Sequence, residues 1–209
     1  MTDYKTDQEI FWAGEFGTKY FERNQGDKVL ASNLNLFSNV LKRTNNIKSC
    51  IEFGANIGIN LQALKILKPE IEQYGIEINK KAAERLSRIV PATNIFHTSI
   101  LEFNDSCICD FALIKGVLIH INPDKLSTVY EKLSNATNRY LLIAEYYNPF
   151  PISIPYRGHA DKLFKRDFAK EMMDQHPQFK LIDYGFIYHN DLNFPDDDIT
   201  WFLMEKTNN

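Results

Sequence analysis

The chain has 209 residues, 44% of them hydrophobic and 24% charged, with a net charge of −3, which suits one domain with a substantial core. Mild acidity gives no basic footprint for nucleic acid or an anionic membrane, and no apolar run approaches the roughly 18 residues needed to span a bilayer. The opening MTDYKTDQEIF lacks a signal-peptide pattern, and Cys50, Cys107 and Cys109 have no framework spacing, so a cytoplasmic protein with free thiols is expected.

Residues 1–45 read as mostly helical. The polar-aromatic stretch FWAGEFGTKYFERN leads into a helix over 30–44, where Leu34, Phe37, Val40 and Leu41 keep a helical period. From residue 46 the rhythm changes. Apolar runs of strand length at 49–53, 72–78, 93–97, 110–115 and 139–146 alternate with helical patterns at 58–67, 80–89 and 123–135. Asn122 and Pro123 mark the start of the third helix, as cap and first helical residue. Such alternation implies a parallel sheet covered on both faces through right-handed crossovers. The segment 148–159, with three prolines, reads as a shaped wall. A helix is then expected over 161–175, followed by strands at 179–188 and 198–206 joined by a polar turn, an antiparallel pair at one edge. The expected fold is α/β and doubly wound, with seven mostly parallel strands and an antiparallel C-terminal edge hairpin.

The sharpest motif is Glu52-Phe53-Gly54-Ala55-Asn56-Ile57-Gly58, directly after the first strand and before a helix. Gly54 permits a sharp turn and close approach of backbone to a ligand, and Gly58 lets the helix start pack against the loop. The spacing is G-x-x-x-G, without the middle glycine that a dinucleotide pyrophosphate requires. Glu77, 19 positions after Gly58 and followed by Ile78, stands where an acid accepts hydrogen bonds from both ribose hydroxyls. Ser99 and Ile100 follow the third strand, and Lys115 and Gly116 end the fourth. All fall at the carboxyl ends of strands, where open α/β sheets bind ligands.

The acid before the first glycine, with this spacing, resembles the E/D-x-G-x-x-x-G loop of class I S-adenosylmethionine-dependent methyltransferases. The resemblance implies a Rossmann-like fold that binds S-adenosylmethionine through Glu52, Gly54, Ala55, Asn56, Gly58, Glu77, Ile78, Ser99, Ile100, Lys115 and Gly116. Ser99 stands where that family commonly has aspartate against the adenine amino group. A narrower likeness is to the methyltransferases associated with pseudaminic acid biosynthesis. It is carried by residues 11–17 and 20–24, the loop 52–58, Gly116–Pro123, Ala144–Pro149, Tyr156–His159 and Leu163–Phe168. It implies a single domain over 1–209, in which residues 1–45 form a helical lid over a core at 46–209. Tyr20 and Arg23 would hold the donor's carboxylate.

On the acceptor side, His120 follows the fourth strand and suits a general base near neutral pH, as does His159. Trp12, Glu145, Tyr146, Tyr147, Tyr156 and Arg157 complete an expected polar, aromatic substrate pocket. The implied function is methyl transfer to an O or N atom of a small polar acceptor, such as a nonulosonic-acid-type sugar or related amino sugar. A nicotinamide-dependent oxidoreductase and a catalytically silent S-adenosylmethionine-binding module are the competing readings. No nucleic-acid partner, membrane partner or metal is expected, since Cys107-x-Cys109 has no partner histidines nearby. The oligomeric state stays open.

Overall fold

The computed structural model describes residues 4–23, 26–104 and 106–207. Three helices lead: α1 (Asp7–Ala13), α2 (Glu15–Arg23) and α3 (Asp27–Leu41). Thr6 starts α1 with a reciprocal cap. Its hydroxyl accepts from the Glu9 N–H and the Glu9 carboxylate takes the Thr6 N–H, which satisfies two otherwise orphaned donors.

The alternation then runs β1 (Ser49–Phe53), α4 (Ile59–Leu67), β2 (Glu72–Ile76), α5 (Lys80–Leu86), β3 (Ile95–Phe96), β4 (Cys109–Lys115), α6 (Leu126–Ala136) and β5 (Thr137–Glu145). Next come β6 (Ile152–Tyr156), β7 (His159–Lys165), α7 (Phe168–Gln175), β8 (Phe179–Ile187) and β9 (Ile199–Lys206). The main sheet has seven strands in the order β3-β2-β1-β4-β5-β9-β8. The first five are parallel, whereas β9 pairs antiparallel with both β5 and β8. Asn122 caps a short 3₁₀ turn, Pro123–Lys125, from which α6 continues.

Both sheet faces are buried, as continuous apolar strands require. On one, Ile51, Phe53 and Ile114 meet Val129, Tyr130 and Leu133 of α6 and Met172 of α7. On the other, Phe111, Leu113 and Leu142 meet Phe37 and Val40 of α3 and Leu61 and Leu64 of α4. Each such fully buried large side chain contributes about 1.5–3 kcal/mol. The order reverses between β1 and β4, so their diverging connections open a crevice at the carboxyl edge.

The segment 148–165 departs from expectation. Instead of a loop followed by a helix from Asp161, β6 and β7 form a separate antiparallel hairpin, and helix is confined to α7. The two-residue turn Arg157-Gly158 has both residues at positive φ (48° and 85°), the primed turn whose twist matches a hairpin. Pro155 is accommodated at a register shift between Ile154 and Tyr156, where a missing N–H breaks no ladder. Asp167 caps α7 through the Lys170 N–H and so fixes the late start.

Candidate active site

A cavity lies at the carboxyl edge of β1, β2, β3 and β4, roofed by α1 and α2. Its floor and walls include Gly54, Ala55, Asn56, Glu77, Ile78, Ser99, Ile100, Lys115, Gly116 and His120, and Trp12 and Tyr20 close it from above. Twelve residues singled out from the sequence thus converge on one space. Buried polar atoms without partners concentrate there too. Among the described residues, Gln8 Oε1, Glu9 Oε1, Trp12 Nε1, Asn33 Oδ1, Asn56 Oδ1 and Asn60 Oδ1 are all buried, unpaired and on residues lining this cavity. Unpaired buried polar groups are costly, so their clustering marks a ligand site.

The loop after β1 explains why glycine is needed. Gly54 sits at φ +76°, and a Cβ there would lie 2.6 Å from Val117 Cγ2. Gly58, at φ +85°, caps α4 with Leu86 against it. Asn56, at φ 50°, is one of the few non-glycine types that tolerate that region. Its N–H donates to Glu77 Oε2 at 2.7 Å, and the Asn79 N–H donates to Glu77 Oε1 at 2.6 Å. Both oxygens of Glu77 are therefore oriented while each keeps acceptor capacity.

Glu52 is fully buried beneath this loop, not in the cavity wall, and Asn60 Nδ2 donates to it at 2.5 Å. Glu145 also departs from its expected place. Its Oε1 accepts the N–H groups of Val117 and Leu118 at 2.9 and 2.8 Å, so it holds the loop after β4 from below instead of facing a substrate. Burial pushes all three carboxyls up, Glu52 to about 8 and Glu77 and Glu145 to about 7, against the pull of their hydrogen bonds. An acid whose folded value is raised stabilises the fold below its ordinary range and loses that contribution as pH rises through the raised value. Burial shifts His120 and His176 down from 6.5, which acts in the opposite direction but below pH 6.5. The ligand-free protein is thus expected to melt at a lower temperature at pH 8 than at pH 6.5, in thermal scans at matched ionic strength. A flat or rising midpoint would contradict the burial of these acids.

His120 is 6% exposed, and its Nδ1 lies 2.5 Å from the Lys162 carbonyl of β7. A carbonyl only accepts, so Nδ1 carries the proton and Nε2 keeps its lone pair. Burial pushes the ring down to about 4, hence neutral at pH 7. The ring centroids of Trp12 and Tyr156 lie 4.5 and 4.8 Å from it. Tyr156 therefore sits at the rim of the cavity, while Arg157 is exposed at the hairpin tip, its guanidinium 5.8 Å from the Tyr156 ring. His159 does not join His120. The hairpin turn carries it to the outer side of α1, where it is exposed and packs on Phe11 and Phe16. Tyr146 is half-buried, hydrogen-bonded to Asp197, with Lys165 Nζ 5.1 Å from its ring. Tyr147 is 41% exposed beside Phe202. Neither lines the cavity. Lys115 pairs with Asp196 at 2.9 Å, a charge contact between largely buried groups and not a directed hydrogen bond. The side chain of Arg23 lies outside the described residues.

Sequence reasoning missed Gln8, Glu9, Asn33, Asn60 and Asn79. The Thr6-x-x-Glu9 capping pattern was a legible signal for Glu9. Asn79 does two things at once. Its Oδ1 caps α5 through the Ala82 N–H, and its Nδ2 reaches the carbonyls of Trp12, Ala13 and Gly14 at 3.1–3.2 Å. This clasp needs Gly17, because a Cβ there would meet the Trp12 carbonyl oxygen at 2.0 Å and Asn79 Nδ2 at 3.0 Å. Asn79→Ala is expected to destabilise the protein by about 1–3 kcal/mol and to speed hydrogen exchange of the α1 amides more than those of β4. Equal protection in α1 before and after the change would dismiss the clasp.

Among the described residues, no group of three or more His, Cys, Asp or Glu is arranged to hold a metal, and no helix is long and apolar enough to cross a membrane. Cys107 and Cys109 are free thiols buried in the core with sulfurs 3.5 Å apart.

No protein-family model and no curated protein matches the sequence. The fold, by contrast, has many solved relatives. A Leishmania major S-adenosylmethionine-dependent methyltransferase superposes with a TM-score of 0.71 at 14% identity, over 95% of this chain and 80% of that one. The 1,6-didemethyltoxoflavin-N1-methyltransferase of Burkholderia thailandensis, with its bound substrate and S-adenosylhomocysteine, gives 0.73 at 12% identity over 100% and 93%. The magnesium protoporphyrin IX methyltransferase of Synechocystis PCC 6803, with bound S-adenosylmethionine, gives 0.68 at 12% identity over 99% and 100%. The fold of this chain is the Rossmann-like fold of S-adenosylmethionine-dependent methyltransferases.

Proposed function

We propose that the protein transfers a methyl group from S-adenosylmethionine to an O or N atom of a small polar molecule. The observation that carries this reading is the convergence of the Gly54 loop, Glu77 and the unpaired buried polar atoms on one cavity under α1 and α2. The donor set fits a nucleoside with a charged tail. Glu77 has acceptor capacity for a vicinal diol, Ile78 and Ile100 offer apolar walls for a flat ring, and the Gly54 turn leaves backbone accessible where a side chain would intrude. Solved relatives of this fold are described with bound S-adenosylmethionine or S-adenosylhomocysteine and act on different small molecules, which supports the class without naming the acceptor.

When bound, the sulfonium supplies an electrophilic methyl, so the protein's task is to hold an acceptor atom in line and exclude water. α1 and α2 provide the exclusion. Neutral His120, its Nε2 lone pair free and its ring bracketed by Trp12 and Tyr156, accepts a hydrogen bond from the acceptor's O–H or N–H and turns that atom's lone pair toward the methyl. Tyr20 and Arg23 serve the carboxylate end of the donor in this reading, and a nonulosonic-acid-type or amino sugar is the acceptor class to try first. The protein is a single methyltransferase domain, with residues 1–45 as its lid.

The test is incubation with methyl-labelled S-adenosylmethionine and a panel of amino sugars and other polar metabolites. Label transferred to one of them, with one S-adenosylhomocysteine formed per methyl, is the expected result. Donor binding without transfer to any acceptor across the panel and a small-molecule extract would instead favour the silent binding module.

A further inference from the structure

Glu9 stands out among the cavity residues. It is 7% exposed, and its Oε2 is fully used, accepting the Lys5 N–H at 2.9 Å, the Thr6 N–H at 2.8 Å and the Thr6 hydroxyl at 3.1 Å. Oε1 has no partner, and the residue lines the cavity. Three anchors on Oε2 leave the side chain little freedom, so the direction of Oε1 is set by the helix cap. The Lys5 ammonium also forms an ion pair with Glu102, which ties the start of α1 to the turn Ile100–Glu102 after β3. That is the end of the cavity walled by Ile78, Ile100 and Leu101. Gln8 and Trp12 belong to the other end, since Gln8 Nε2 donates to the Asp161 carbonyl and Trp12 packs on His120.

Thr6, Thr98 and Ser99 also line the cavity, and the Ser99 Oγ already accepts the Leu101 N–H at 3.1 Å to cap the turn. Glu9 Oε1 is the unpartnered acceptor on a residue lining this end, so a flat heterocycle held between Ile78 and Ile100 meets it where its edge turns toward α1. A carboxylate oxygen only accepts, so that edge must carry an N–H.

We propose that Glu9, delivered by the lid, is the specificity residue that reads the exocyclic amino group of the donor's adenine, a role the short Ser99 side chain leaves unfilled. The inference rests on the donor reading above. It makes the roof a participant in recognition, since a purine with an oxo group at that position would set oxygen against oxygen in a buried site.

The test is calorimetric titration of the full chain with S-adenosylhomocysteine and with S-inosylhomocysteine, in which the amino group is replaced by oxo. Wild type is expected to prefer the adenine ligand about 10- to 100-fold. Glu9→Gln is expected to abolish or reverse that preference, because the amide oxygen must take the Oε2 position to accept the Lys5 and Thr6 N–H groups, which turns the NH2 donor toward the ligand edge. Thr6→Ala, which removes the hydroxyl anchor but keeps Oε1, is expected to weaken both ligands together and preserve the ratio. Equal affinity of wild type for the two ligands, or an unchanged ratio in Glu9→Gln, would overturn the role of Glu9 while leaving donor binding intact. Failure of wild type to bind S-adenosylhomocysteine would overturn the donor reading itself.

Discussion

Gly54→Val is expected to abolish measurable binding of S-adenosylhomocysteine, a loss of more than about 100-fold, while the chain still folds. Two effects add at this position. A β-branched residue at φ +76° carries backbone strain of about 1–3 kcal/mol. Its Cβ would also start 2.6 Å from Val117 Cγ2, and relieving such overpacking costs about 1–3 kcal/mol more. The cheapest escape moves the loop away from Val117 and into the cavity. The Val117 backbone is held in turn by the Glu145 carboxylate through its N–H, so relief on that side is left to rotation of the Val117 side chain. Circular dichroism separates the outcomes: native-like spectra with no binding fit this geometry, and native-like binding would show that backbone approach at Gly54 is unimportant.

Glu77→Ala is the second large effect. The change removes both oxygens proposed to accept from the ribose and strands the N–H groups of Asn56 and Asn79. Hydrogen bonds to a charged group contribute about 1.5–3 kcal/mol each, so donor affinity should fall about 100-fold or more. The loss should also depend on pH. Burial raises Glu77 to about 7, and in the proposed donor mode the ionised form accepts from the ribose hydroxyls. Wild-type affinity is therefore expected to strengthen between pH 6 and 8, and the slope attributable to Glu77 should vanish in the variant. An alanine variant that binds within about threefold of wild type would place the ribose elsewhere.

Much of this architecture was legible because it rests on local chemistry. The strand–glycine–helix run at Glu52–Gly58 needs only neighbouring residues to specify its turn, and the alternation of apolar strands with helices implies a two-sided parallel sheet. The hairpin β6–β7 was less legible. Its turn uses Arg157 at positive φ where asparagine or glycine is the usual signal, and Pro155 and the charged run from Asp161 to Arg166 mask a period of two.

The acceptor side was the least legible part, since it depends on which way a strand end points. Glu145 ends β5 at the ligand edge as expected, yet turns down to hold the loop after β4. His159 is one hairpin turn from the cavity rim and lies outside the roof. α1 brings Gln8, Glu9 and Trp12 to the cavity through contacts distant in sequence: Asn79 clasps its end, Lys5 at its start pairs with Glu102, and Gln8 donates to the Asp161 carbonyl. No local pattern encodes such a long-range contact.

The most direct test of the donor site is a calorimetric titration of the purified wild-type chain with S-adenosylmethionine and S-adenosylhomocysteine, alongside NADH. Saturable one-site binding of both sulfur ligands in the range of about 1 µM to 1 mM, with no heat from NADH, is the predicted result. A folded protein that binds neither sulfur ligand, or that takes up NADH instead, would contradict it.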